Sequence, residues 1–109
     1  MGRRWWLETS ISRIVIMPYF KRHWDGTRGD SYNDWGSSIW YFETDLDMCV
    51  TRQIEVYANG NVLHYDRKHI EDKYGGLSEK PIDADDFAPF VILQSEFEQA
   101  WASRRPFNK

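Results

Sequence analysis

The 109-residue chain contains one cysteine, Cys49, and no long apolar run. A single thiol cannot form an internal disulfide, so we expect a protein of a reducing compartment. No apolar stretch approaches the length of a membrane span. Residues 1–7 include two arginines, but the apolar segment of a secretory signal does not follow them. These absences predict a soluble cytoplasmic protein without a membrane-spanning segment.

The chain also lacks a recognisable catalytic or metal-binding motif. No G-x-S-x-G occurs, and Cys49 lies between Met48 and Val50, an apolar context typical of a structural thiol. His64 and His69 fall on a predicted strand and the loop after it, an arrangement that does not converge on one metal ion. We therefore predict no enzymatic activity, no cofactor and no metal. An enzyme with scattered catalytic residues is the less favoured alternative.

Charge is distributed unevenly along the chain. The formal net charge is −3, yet residues 30–99 carry −10, whereas residues 1–29 carry +4 and residues 100–109 carry +3. An acidic body argues against nucleic-acid binding, which needs basic patches, and favours a basic partner. The Arg-Arg-Trp-Trp segment at residues 3–6 is the exception, and we interpret it as an arm that packs its tryptophans on the core.

Aromatic residues are unusually abundant, with six Trp, six Tyr and six Phe. A small core does not need them all, so some are expected at the surface or in a cleft. Trp24, Tyr32 and Trp35 lie in the polar, glycine-containing segment 23–38, which predicts a loop. Aromatic side chains on a polar loop either cap an open end of the core or contact a partner, and both readings stay open.

Short β-rich segments separated by turn residues predict a mainly β domain. The predicted strands are residues 13–20, 39–44, 50–57 and 62–66. Pro18 cannot donate a hydrogen bond to a neighbouring strand, so it places the first strand at an edge or at a bulge. Asn59-Gly60 between two apolar segments predicts a hairpin with a two-residue type I′ turn.

The predicted turn also sets the pairing of the hairpin. Val56 would lie opposite Leu63, and Ile54 opposite Tyr65, so that these four side chains share the core face. The opposite face would be mixed and partly exposed, and it would carry Glu55, Tyr57, Val62 and His64.

The remainder predicts a long loop followed by one helix. Residues 66–89 are polar and contain glycine and proline, and residues 90–93 are a short buried strand or the approach to the helix. Ser95 and Glu98 have the spacing of a capping box. An apolar stripe follows at helical spacing, and Pro106 ends the helix; the stripe is Phe97, Ala100 and Trp101.

The predicted fold is α+β and mainly β, with a curved antiparallel sheet, half-barrel or sandwich-like, and one C-terminal helix. We treat residues 1–109 as a single domain. Residues 1–37 form an N-terminal strand and aromatic loop extension, and residues 38–103 form the hairpin core and the helix.

Three segments resemble a family of small bacterial domains of unknown function. They are TRQIEVYANG at 51–60, YGG at 74–76 and ILQSEFEQAW at 92–101. The family typically shows an R-x-[VI]-E-[VI]-[FY]-x-[DN]-G hairpin, a later Y-G-G and a closing E-F-E-x-x-W helix, and the resemblance covers roughly residues 38–103. Its members look like immunity proteins encoded beside secreted toxins of the contact-dependent growth inhibition type, so the resemblance implies an immunity role.

Acidic charge, aromatic side chains and this resemblance predict a protein that neutralises a bacterial toxin domain. The toxin would be a nuclease, such as a ribonuclease, whose basic active-site cleft is covered. The predicted acidic contacts are Asp45, Asp47, Glu55, Asp66, Glu71, Asp72, Asp83, Asp85 and Asp86. The predicted aromatic anchors are Trp24, Trp35, Tyr57 and Tyr74. The alternative is a module that binds a small ligand in an aromatic-lined cleft of a curved sheet.

Overall fold

The computed structural model describes residues 18–104 as an antiparallel sheet with a helix on one face. The four strands follow one another across the sheet in chain order, and they are β1 (Tyr19–Trp24), β2 (Ser38–Thr44), β3 (Val50–Tyr57) and β4 (Val62–Asp66). The predicted mainly β, α+β class with a C-terminal helix is confirmed. Among residues 18–104 the sheet is open and not closed into a barrel, with β1 and β4 at its edges.

The first strand is an edge strand, as the proline predicts. Strand β1 starts directly after Pro18, whose carbonyl oxygen accepts a hydrogen bond from the Thr44 amide at 2.8 Å. The described residues do not include residues 13–17 of the predicted strand, residues 3–6 or Pro106. The loop prediction for 23–38 was wrong at its start, because β1 continues through Trp24 and fixes that indole on the sheet.

The hairpin between β3 and β4 has a different register from the predicted one. A type I′ turn needs positive φ at both central residues, but only Gly60 of the Asn59-Gly60 pair has it, at +97°. Gly60 N–H donates to the Tyr57 carbonyl, and Tyr57 N–H donates to the Asn61 carbonyl, each at 2.9 Å. The loop therefore has three residues, 58–60, the arrangement in which a glycine bulge follows a type I turn.

The longer loop moves β4 by one residue against β3. Val56 pairs with Val62, and Glu55 pairs with Leu63. Because side chains alternate along a strand, a one-residue shift sends each β4 side chain to the other face. The predicted grouping of Ile54 and Val56 with Leu63 and Tyr65 on one face was wrong, although Ile54, Leu63 and Tyr65 are buried as predicted. Glu55, Tyr57, Leu63 and Tyr65 share one face, and all four are buried.

One face of the sheet is covered by the C-terminal helix, here α2 (Gln94–Ala102). Phe97 is fully buried against Tyr19 and Ile54, and Ala100 and Trp101 pack beside them, which confirms the predicted stripe. The helix begins one residue before Ser95, its N-cap is Leu93, and no side chain caps it. The predicted capping box was wrong.

The segment before α2 is the approach to the helix and not a buried strand. Val91 is 46% exposed and Leu93 is 66% exposed. A single bridge joins Val91 to Phe20 of β1.

The opposite face is covered by short elements from the two long connections. They are a 3₁₀ turn (Asn33–Trp35), β5 (Glu71–Asp72), β6 (Gly75–Gly76), helix α1 (Ala84–Phe87) and a second 3₁₀ turn (Ala88–Phe90). One buried cluster on this face centres on Trp35, Tyr57 and Tyr65. A second cluster centres on Phe42 and Ile82. Within residues 18–104, no helix is long and apolar enough to cross a membrane.

Candidate functional site

A cleft lined by polar and aromatic groups lies on the face covered by loops. Two rows of paired residues cross strands β1, β2 and β3 there. In one row Ser38 pairs with Trp24 and with Tyr57, and in the other Trp40 pairs with Arg22 and with Glu55. The cleft has a volume of about 380 Å³, and Trp24, Trp40, Glu55 and Tyr57 all line it. This volume is within the range of roughly 300–1,000 Å³ that ligand sites occupy.

Glu55 is the buried acid of this cleft, with 3% of its surface exposed. Its carboxylate accepts a hydrogen bond from the Tyr57 hydroxyl at 2.5 Å and another from the Gln53 side-chain amide at 2.8 Å. Burial raises the pKa of Glu55 above its usual range, because a charge is costly away from water, although both hydrogen bonds oppose this. Burial also raises the pKa of Tyr57, so its hydroxyl stays protonated and donates.

The amide of Gln53 fixes this carboxylate to the neighbouring loop. Its nitrogen also donates to the Gly76 carbonyl at 3.1 Å, and its oxygen accepts from the Ser78 amide at 2.9 Å. All hydrogen-bonding groups of this buried amide therefore have partners, which orients it in one way. The loop that carries β5 and β6 is anchored to the floor of the cleft by these bonds.

Arg28 contributes a positive charge to the wall of the cleft. Its guanidinium lies 5.1 Å from the Tyr32 ring centre, 5.3 Å from Trp35 and 5.7 Å from Tyr57. It donates to the Tyr74 carbonyl, and it forms a 3.0 Å ion pair with Asp30. The charge of Arg28 is thus largely neutralised within the chain.

An apolar recess adjoins the cleft and shares Trp24 and Trp40 with it. The recess has a volume of about 350 Å³, and Phe42 and Phe87 complete its apolar lining. Arg22 covers one side, with its guanidinium 4.8 Å from the Phe87 ring centre. Since Trp24 is 54% exposed, a partner can reach the indole that separates the two recesses.

The structure brings together the aromatic half of the predicted site. Trp24, Tyr57 and Tyr74 line the cleft beside Glu55. Trp35 is buried behind them, with ring centres 5.0 Å from Tyr57 and 5.4 Å from Tyr74. Trp35 therefore supports the site and does not present a contact surface.

Several predicted acidic contacts also have partners within the fold. Asp45, Asp66 and Asp83 accept hydrogen bonds from backbone amides in turns or at the start of α1. Asp72 accepts from the Tyr65 hydroxyl at 2.9 Å, and Asp86 forms a 2.8 Å ion pair with Arg22.

Three predicted contacts, Asp47, Glu71 and Asp85, are exposed. No described residue forms an ion pair with them. Glu71 is nearest to the cleft, since it pairs with the cleft residue Gly76 in the small β5–β6 hairpin.

Trp40 and Arg28 are among the cleft residues that were not predicted as site residues. Trp40 shares a face of β2 with Ser38 and Phe42, and this period of two, together with the correct pairing to β3, would have placed it beside Glu55. Arg28 carries no comparable signal, because it reaches the cleft through a loop. Across the described range, no three His, Cys, Asp or Glu side chains are arranged to hold a metal ion.

Known proteins offer no further guide to this cleft, since no family model, curated protein or solved structure matches the chain.

Proposed function

We propose that the chain is an immunity-type protein that binds a toxin domain with a basic surface, such as a nuclease, and covers its active-site cleft. The observation that supports this best is the pair of adjoining recesses separated by the half-exposed Trp24. An apolar centre with an accessible aromatic anchor is the usual composition of a protein interface. The proposed mechanism is occlusion, without any chemical step by this chain.

The charge of the surface favours a basic partner. Seven exposed carboxylates form no ion pair with a described residue, and they are Asp25, Asp34, Asp47, Glu71, Glu79, Asp83 and Asp85. Only three exposed lysines of residues 18–104 are equally unpaired, and they are Lys68, Lys73 and Lys80. This excess would attract a basic cleft and accelerate association with it. The resemblance of the hairpin and the helix to immunity proteins points in the same direction.

The first experiment is co-expression with the toxin domain encoded by the neighbouring gene, with growth rescue and co-purification as readouts. Trp24→Ala should abolish rescue, because it removes the anchor from the centre of the interface. Leu46→Ala is the matched control, since Leu46 is also a large apolar residue, is 76% exposed and lies in the β2–β3 turn. Equal rescue by the two variants would contradict the proposed binding face.

A second candidate function is the binding of a small ligand in the cleft. The volume of the cleft, about 380 Å³, and its buried polar floor favour the binding of a small ligand. A ligand that stabilises the protein in a thermal-shift screen, and does so less in Trp24→Ala, would support it. Absence of any stabilising ligand, together with rescue from the toxin, would leave the immunity function alone.

A further inference from the structure

We propose that the cleft is a receptor for one cationic side chain, an arginine or a lysine, that the partner protein inserts beside Glu55. This inference rests on the proposed function, because it identifies the group that a basic partner would place in the cleft. It adds a specific contact to what is otherwise a general attraction between opposite charges.

One carboxylate in the cleft lining, Glu55, has no ion-pair partner among residues 18–104, and Arg28 acts on it only at longer range. Arg28 and Asp30 neutralise each other at 3.0 Å. Glu55 is the remaining charged group in the lining, and none of the basic side chains among residues 18–104 forms an ion pair with it. A buried carboxylate without a cation is unfavourable when ionised, so a cation entering the cleft would gain a strong partner.

The walls of the cleft suit a cation because they are aromatic. The Trp40 indole nitrogen donates to the Ser38 hydroxyl at 2.8 Å, and this bond orients its ring. Trp24 also lines the cleft and remains half exposed. Aromatic faces attract arginine and lysine, and the attraction strengthens when water is excluded. The neighbouring aromatic wall already receives the guanidinium of Arg28, which shows that this surface accepts such a group.

Proton linkage gives the interaction a distinctive property. Tyr57 and Gln53 donate to Glu55, Arg28 lowers its pKa electrostatically, and Asp72 raises it. Burial outweighs the favourable contributions and raises the pKa, so the Glu55 carboxyl keeps its proton to a higher pH than an exposed glutamate does. Since a cation favours the ionised carboxylate, binding should release a proton and should strengthen as the pH rises.

The direct test uses the whole chain and a small probe, N-acetylarginine amide, followed by NMR of the tryptophan indole N–H signals. The matched neutral probe is N-acetylcitrulline amide, which has nearly the same shape without the charge. We expect the arginine probe to shift the Trp24 and Trp40 signals and to leave Trp101 unchanged, because Trp101 packs on the opposite face. Equal shifts with both probes would overturn the proposal.

Two variants locate the contact. Glu55→Gln and Trp24→Ala should each weaken binding of the arginine probe roughly tenfold, because one removes the charge and the other the aromatic rim. Leu46→Ala should leave it unchanged. If Glu55→Gln does not fold, Trp24→Ala and the neutral probe still decide the question. Unchanged affinity in both folded variants would overturn the proposal.

The two proposals fail in distinguishable ways. If the arginine probe does not bind while the chain still rescues cells from the toxin, the cation receptor is wrong and the immunity function stands. If the probe binds but no toxin complex forms, the immunity function is wrong, and the cleft is a receptor for a cation from another source.

Discussion

At the scale of single residues, the chain contains a polar group that a stable core would normally avoid. Glu55 is buried on β3 among aromatic side chains, where an apolar residue would avoid the cost of desolvation. Tyr57 and Gln53 satisfy its oxygens, yet its pKa remains raised. A buried acid of this kind in an open cleft is a feature expected of a binding site.

The raised pKa predicts how stability changes with pH. The folded protein holds the Glu55 proton more tightly than the unfolded chain, whose value is near 4.5. The contribution of Glu55 to stability is therefore present at low pH and is lost as the pH rises from about 4.5 through the raised value. The Glu55→Gln variant cannot lose this contribution because glutamine does not titrate. As the pH rises over this range, the unfolding free energy of the variant should therefore rise relative to that of the native sequence.

Urea unfolding of both proteins at a series of pH values measures this difference. Carboxylates with lowered pKa values, such as Glu43 and Asp72, are common to both proteins and cancel in the comparison. A difference that stays constant with pH would show that Glu55 titrates normally.

Two glycines allow a second test at this scale. Gly60 has φ of +97° with open space around it, so Gly60→Ala should cost about 1 kcal/mol of unfolding free energy from backbone strain alone. Gly36 has φ of +85°, and an added Cβ would lie 2.9 Å from the Ala58 Cβ. Gly36→Ala should therefore lower the unfolding free energy by about 1–3 kcal/mol more than Gly60→Ala does. Urea unfolding checks this order, and equal costs would contradict it.

At the scale of elements, one arginine joins the helix to the sheet. Arg52 of β3 donates to Glu43 of β2 at 2.6 and 2.8 Å, and to Glu98 of α2 at 2.7 and 3.1 Å. Its guanidinium also lies 4.8 Å from the Phe97 ring centre. Glu98, which the sequence pattern assigned to a capping box, thus contributes to helix docking instead.

Removing this connection should destabilise the whole fold. Arg52→Met should lower the unfolding free energy by about 2 kcal/mol, between the values typical of exposed and of buried ion pairs. Lys21→Met is the matched control, because its pair with Glu96 at 3.3 Å is more exposed, and it should cost less than about 1 kcal/mol. Thermal or urea unfolding measures both, and a larger loss in the control would refute the role of Arg52.

At the scale of the whole molecule, the excess of acidic groups should govern the rate at which a basic partner associates. The screening length falls from roughly 30 Å at about 0.01 M salt to roughly 3 Å at about 1 M. The association rate with the toxin domain should fall steeply over this range, whereas dissociation, controlled by the buried aromatic contacts, should change little.

Surface charge reversal checks the same property without disturbing internal bonds. Asp47, Glu71 and Asp85 are exposed and form no ion pair within the described range. Changing all three to lysine should slow association and flatten its salt dependence, as stopped-flow measurement would show. An unchanged salt dependence would indicate that attraction between opposite charges does not guide binding.

The sequence by itself determined three of the strands and the buried face of the helix. Strands β2, β3 and β4 follow from β-branched and aromatic runs between turn residues, and the stripe of Phe97, Ala100 and Trp101 follows from helical spacing. These patterns depend on neighbours along the chain, so they are visible in the sequence. The acidic body is visible for the same reason.

Only the tertiary structure decided the register of the hairpin and the existence of the cleft. The register depends on the backbone angle of Asn59, which the residue type leaves open, and one residue of shift changed which side chains share a face. The cleft joins Trp24, Arg28 and Glu55, which are far apart in sequence and meet through strand pairing and a loop. Local patterns do not encode such contacts, and they do not show which carboxylates are used within the fold and which remain for a partner.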